Sequence, residues 1–181
     1  MKIGIIARTW FTSTKGGSER YIARLFEELK KDHEVEVVTF DRSEDEDVIQ
    51  IRLPKISLVT QVLFSLLASK KMNKIKPDVC LVNQYWAEFS PLLLKVPWIP
   101  IIHDLGLFYS ESAKEHRLKH FFRTRVLDRI TKKAKLIIVP SKLTASDLQT
   151  YLDVPSEKVK MIPEGIDLAC FKPHPTKHEG I

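Results

Sequence analysis

Short β-branched apolar runs alternate with segments of helical period along this chain. The runs are Ile3 to Ala7, Val35 to Phe40, Val48 to Leu53, Val79 to Asn83, Trp98 to Ile102, Leu136 to Val139 and Val159 to Ile162, and they predict seven strands. Several are continuously apolar rather than alternating, the pattern of strands buried on both faces of a parallel sheet. Between them apolar residues recur three and four apart. Ile22, Leu25, Phe26 and Leu29 form one stripe, Val59, Val62, Leu63, Leu66 and Leu67 a second, and Leu118, Phe121, Phe122, Val126 and Ile130 a third. Strand and helix alternating through short loops predicts right-handed crossovers. The expected architecture is a Rossmann-like, doubly wound parallel α/β sheet of about seven strands in a three-layer α/β/α sandwich.

Open sheets of this kind bind ligands in the crevice beyond the carboxyl ends of their strands. The segments placed there are Arg8 to Ser18, Gln84 to Glu88, His103 to Phe108 and Pro140 to Lys142. Gly16 and Gly17 close the first of these and open the first helix. Their backbone can approach a ligand closely, and the helix start offers unpaired N–H groups to an anion such as a diphosphate. The same pair also reads as a flexible loop with no ligand, and it fits neither the Walker nor the dinucleotide spacing. His103 follows a predicted strand, so its imidazole is expected at the crevice, where it could bond a phosphate or sugar hydroxyl or move a proton. The plainer alternative is a strand-end His bonded to a carbonyl, with Asp104 capping a turn. Ser141 reads as the N-cap of the next helix, not as a nucleophile, because no base accompanies it. Trp86 and Tyr109 lie in crevice loops and could stack on a sugar or merely pack.

Composition changes this picture little. The 44% hydrophobic and 29% charged residues of 181 are those of an ordinary globular chain long enough to bury one core. Cys80 and Cys170 suggest neither a disulfide framework nor a metal knuckle, and Cys80 is expected in the core. With two Asn and four Gln against many Lys and Glu, the chain has a thermophile-like balance. The N-terminal apolar run is too short for a signal peptide, and no segment approaches the roughly 18 apolar residues of a spanning helix. A cytoplasmic protein is expected. Charge matters more. From Lys114 to Lys135 nine Lys or Arg face Glu115 and Asp128, a balance of +7 within a net +6, so the rest of the chain sums to −1. That basic amphipathic segment could rest on an anionic membrane face or simply cover the sheet. Nucleic acid is not expected as a partner, since no stacking or recognition-helix pattern accompanies the charge.

Four blocks together resemble the retaining glycosyltransferases of the GT-B fold, family 4. They are Gly16-Gly17-Ser18-Glu19-Arg20 with the helix and His33-Glu34-Val35-Glu36-Val37 after it, Pro77-Asp78-Val79, Pro100-Ile101-Ile102-His103-Asp104, and Lys135 to Pro173 with its Ile162-Pro163-Glu164-Gly165-Ile166-Asp167 hinge. The resemblance implies an N-terminal, acceptor-side domain over 1–165, with 166–181 beginning a linker to a C-terminal donor domain. It implies a nucleotide sugar and an acceptor as substrates, no metal or other cofactor, and retention at the anomeric carbon. It places Gly16 and Gly17 at the donor diphosphate, His103 as the catalytic residue and Asp104 as an orienting one. Where relatives carry Asn, this chain has Glu164. The family's paired glutamates and diphosphate-binding Arg and Lys belong to the C-terminal domain, so turnover needs that domain in cis or a partner subunit. The alternative is a stand-alone module that binds a glycan or anion, or docks on a partner, without catalysis of its own.

Overall fold

The computed structural model of the protein describes residues 1–7, 17–40, 46–53, 57–84, 89–106, 108 and 117–165. Its strands are β1 (Lys2–Ile6), β2 (Glu34–Thr39), β3 (Val48–Gln50), β4 (Val79–Asn83), β5 (Trp98–Ile101), β6 (Ile137–Val139) and β7 (Val159–Met161). Among these residues the α-helices are α1 (Gly17–Leu29), α2 (Ser57–Ile75), α3 (Arg117–Lys133) and α4 (Lys142–Leu152). All seven strands join one sheet in the order β3-β2-β1-β4-β5-β6-β7, every neighbouring pair parallel. The seven predicted runs are all strands. The edge strand β3 stops at Gln50, which pairs with the last residue of β2, Thr39. Beyond it the Ile51 N–H still donates to the Thr39 carbonyl at 2.7 Å, and Ile51 and Leu53 pack on the second cluster.

Alternation along β1 explains the layers. Ile3 and Ile5 face α1, where they meet Tyr21, Ile22 and Phe26 in a cluster that also takes Val35, Val37, Leu81, Ile101 and Ile138. Ile6 faces the other way, with Val38, Cys80 and Val82, against Phe64, Ala68 and Met72 of α2. On that second side, Ile137 and Val139 of β6 pack on Leu148 and Leu152 of α4. Burial pushes the Cys80 thiol well up, as befits an inert core residue. Gly4 has no side chain because α2 leaves it no room: a Cβ there would overlap the Met72 sulfur and lie 3.0 Å from Cγ of Pro77.

The apolar stripe read on α2 faces away from the sheet. Its buried residues are Thr60, Gln61, Phe64, Ser65, Ala68, Ser69 and Met72, whereas Val59, Val62, Leu63, Leu66 and Leu67 are exposed. The first half of the helix is apolar on most of its circumference, so period alone cannot choose the inner face. Fit chooses it: Phe64 and Met72 fill the core, small Ala68 and Ser69 let the helix approach, and Ser69 Oγ donates to the Ser90 carbonyl at 3.2 Å. On α3, Val126 and Ile130 of the third stripe are buried, but Phe121 and Phe122 are exposed. Among the described residues no helix is long and apolar enough to cross a membrane.

The close approach at Gly4 yields a test of the packing. Gly4→Val should lower stability by about 1–3 kcal/mol through overpacking, measured by chemical denaturation; an unchanged midpoint would show that α2 does not pack as described.

Candidate functional site

The parallel sheet delivers the ends of β1, β4, β5 and β7 to one edge, and the strand order reverses between β1 and β4. His103 lies there, two residues beyond β5. Its backbone is fixed by α4. Ser141 is the N-cap predicted for that helix, in extended conformation, its Oγ accepting from the Thr144 N–H at 3.1 Å. The Thr144 hydroxyl in turn donates to the His103 carbonyl at 2.9 Å and lies 2.9 Å from Ser141 Oγ. With Thr144 donating to His103, the hydroxyl proton between the two side chains comes from Ser141.

The imidazole itself is held by packing alone. Its side chain is 9% exposed, and the Tyr21 ring meets it edge to face at 5.3 Å between centroids. Among the described residues neither Nδ1 nor Nε2 has a hydrogen-bond partner. Burial lowers its pKa below the ordinary value of 6.5, against the opposing pull of the Asp104 and Glu19 carboxylates. A neutral ring is left with one donor and one acceptor unused. Glu164 Oε1 approaches Nδ1 to 4.0 Å, beyond hydrogen-bond reach, so with a neutral ring this is a contact and not an ion pair.

Glu164 also faces the start of α1. Both its carboxylate oxygens lie 3.8 Å from where a Cβ on Gly17 would stand. Gly17 is the first residue of α1, where the helix dipole favours negative charge. The segment bearing Glu164 is tied to the same helix, for Tyr21 donates its hydroxyl to the Ile162 carbonyl at 3.3 Å and Arg24 Nη1 donates to the Gly165 carbonyl at 2.8 Å. Burial, then Glu164, raise the Tyr21 pKa.

His103 and Gly17, read separately from the sequence, thus both border Glu164. Asp104 is exposed, and its Oδ1 accepts the Gly106 N–H at 2.9 Å, forming the turn weighed for it above. Gly16, Trp86, Tyr109 and the linker 166–181 lie outside the described residues. The sequence reading missed Tyr21, Thr144 and Asn83. Asn83 ends β4 beside the strand reversal with a buried, unbonded Oδ1, and its one signal was an amide closing an apolar run. Among the described residues no group of three or more His, Cys, Asp or Glu could hold a metal ion.

The order of the parallel strands, the glycine-opened α1 and the strand-end His103 now stand beside a comparison of sequence. The profile of Glycosyltransferase Family 4 matches residues 15–169, most of the chain. The chain belongs to glycosyltransferase family 4. A search of curated proteins returns no sequence match. Solved structures share the fold of this family 4 chain. A sucrose-phosphate synthase from Thermosynechococcus elongatus aligns with TM-score 0.73 and 19% identity over 96% of this chain and 50% of that one. The lipopolysaccharide outer core galactosyltransferase WaaB, in apo form, gives 0.61 and 14% over 99% and 50%. MnaA of S. aureus, in a co-structure with UDP, gives 0.57 and 20% over 88% and 43%. The chain spans about half the length of these neighbours. The likeness is one of fold, the Rossmann-like α/β fold of GT-B glycosyltransferases.

The unbonded imidazole predicts a pH dependence of stability. The folded chain resists protonating His103 and the unfolded chain does not, so its contribution is fully present above the ordinary value of 6.5 and is lost as pH falls toward the lowered folded value. Between about pH 7 and pH 5 the melting temperature should fall more steeply for the wild type than for His103→Gln; parallel curves would contradict a buried neutral imidazole.

Proposed function

We propose that this family 4 domain serves the transfer of a sugar from a nucleotide donor to an acceptor, with retention at the anomeric carbon. A C-terminal domain in cis, or a partner subunit, completes the donor site. The observation that carries the reading is His103: a neutral, desolvated imidazole with both nitrogens unused, set at a strand end beside the first turn of α1. Such a ring can accept from one sugar hydroxyl and donate to another oxygen without exchanging a stronger bond to water. The UDP held by MnaA, which shares the fold, supports a nucleotide-linked donor.

Breaking the donor bond leaves negative charge on the diphosphate. The first N–H groups of α1, at Gly17 and the residues after it, are preorganised donors at the positive end of the helix dipole. Gly16 would extend that cradle. Asp104 acts by holding the 104–106 turn behind His103. Trp86 and Tyr109 are the aromatic candidates for stacking on the acceptor. No metal enters this scheme, since the charge is met by backbone donors here and by cations of the completing domain.

Glu164 is the odd element, a carboxylate placed where an incoming diphosphate would be repelled. Glu164→Asn should tighten binding of UDP about fivefold at low salt, the effect of removing one like charge at close range, as read by calorimetry; unchanged affinity would place the diphosphate elsewhere. His103→Ala, in the enzyme that carries this domain, should lower turnover about tenfold or more with its thermal unfolding intact. Near-normal release of nucleoside diphosphate would remove His103 from the reaction.

A further inference from the structure

The face of α2 turned away from the sheet is apolar over its first half and cationic over its second. Val59, Val62, Leu63, Leu66 and Leu67 stand at i, i+3, i+4, i+7 and i+8, each between 36% and 54% exposed. Together they make a ridge about 12 Å long. Lys70, Lys71 and Lys74 continue the same arc and are exposed. The helix has no acidic residue at all. Beside it lies α3, whose Arg123 Nη2 donates to Gln61 Oε1 at 3.4 Å. There Phe121 and Phe122 add rings 56% and 51% exposed, Phe122 lying 5.5 Å from Phe89 between centroids. The sequence of α3 sets seven Lys or Arg against Asp128 alone.

Scattered exposed apolar side chains need no explanation, but seven large ones gathered on two neighbouring helices do. We propose that this face docks the domain on an anionic lipid bilayer, with α2 lying in the plane of the interface. The bilayer boundary takes a convex aliphatic ridge to a depth of about 5–10 Å. Its phosphate headgroups match the lysines that follow the ridge and the basic surface of α3. Other occupants fit less well. A second copy of the chain would bring two cationic surfaces together. Single-stranded nucleic acid would meet the charge but stack on aromatics, leaving the aliphatic ridge in water. None of Gly17, His103 or Glu164 lies on α2 or α3, so variants of this face test the docking separately from the proposed transfer.

The test is flotation of the full chain with vesicles of phosphatidylcholine, alone or mixed with phosphatidylglycerol. The wild type is expected to float with the mixed vesicles and to stay in the aqueous fraction with phosphatidylcholine alone. Leu63→Ser with Leu66→Ser should lower the partition about tenfold or more, the loss of several buried methylenes. Lys70→Glu, Lys71→Glu and Lys74→Glu combined should do the same on anionic vesicles, at about fivefold for each charge removed. All five positions are exposed, so the melting temperature should hold; should the leucine variant unfold, the lysine variant decides alone. Absence of wild-type binding at low salt, or binding by both variants equal to the wild type, overturns the proposal. So does a wild-type dimer that the leucine variant dissociates while vesicles leave the protein unbound, which would assign the face to self-association.

Discussion

Everything at the candidate site depends on β1 being paired on both sides by parallel strands and covered on both faces. Its registers with β2 and β4 align Ile3 with Val35 on one side and Val79 on the other. A strand so enclosed satisfies all its backbone groups within the sheet and can only be apolar. Because every neighbour runs the same way, the polar residues that end the strands gather at one edge. Gly17, His103, Thr144 and Glu164, far apart in the chain, are brought together by that shared direction.

The strands were legible for the same reason. Enclosed strands write long apolar runs, and Ile3 to Ala7 or Val79 to Asn83 admit little else. The stripe of α1 was legible too, because its polar face is charged and only one side is left for the core. On α2 the signal failed where helical period carries no information about direction. Small and hydroxylated residues went inward because the space between Phe64 and Met72 admits little else, and that space exists only once the sheet is built. At the site, the strand-end position of His103 could be read locally. Its lack of partners, its packing on Tyr21 and its support from Thr144 could not, being properties of how α1 and α4 meet β5.

Membership of glycosyltransferase family 4 says more about this chain than the fold alone would. Sucrose-phosphate synthase, WaaB and MnaA share this architecture and carry different names. Specificity therefore rests with particular side chains. In this chain two of them stand out for opposite reasons. His103 is short of partners, and Glu164 is a negative charge beside a helix start that favours anions.

The two bonds from α1 to the segment after β7 have a mechanical meaning. Tyr21 and Arg24 sit one turn apart on the helix and hold the carbonyls of Ile162 and Gly165. Two anchors fix an orientation, where one would leave a pivot. Residues 162–165 are thus held against a helix that is itself seated in the core through Ile22 and Phe26. The chain leaving β7 and the start of α1 therefore keep one fixed relation at the mouth of the crevice, so that the spacing between Glu164 and Gly17 is set by the core and not by the loop.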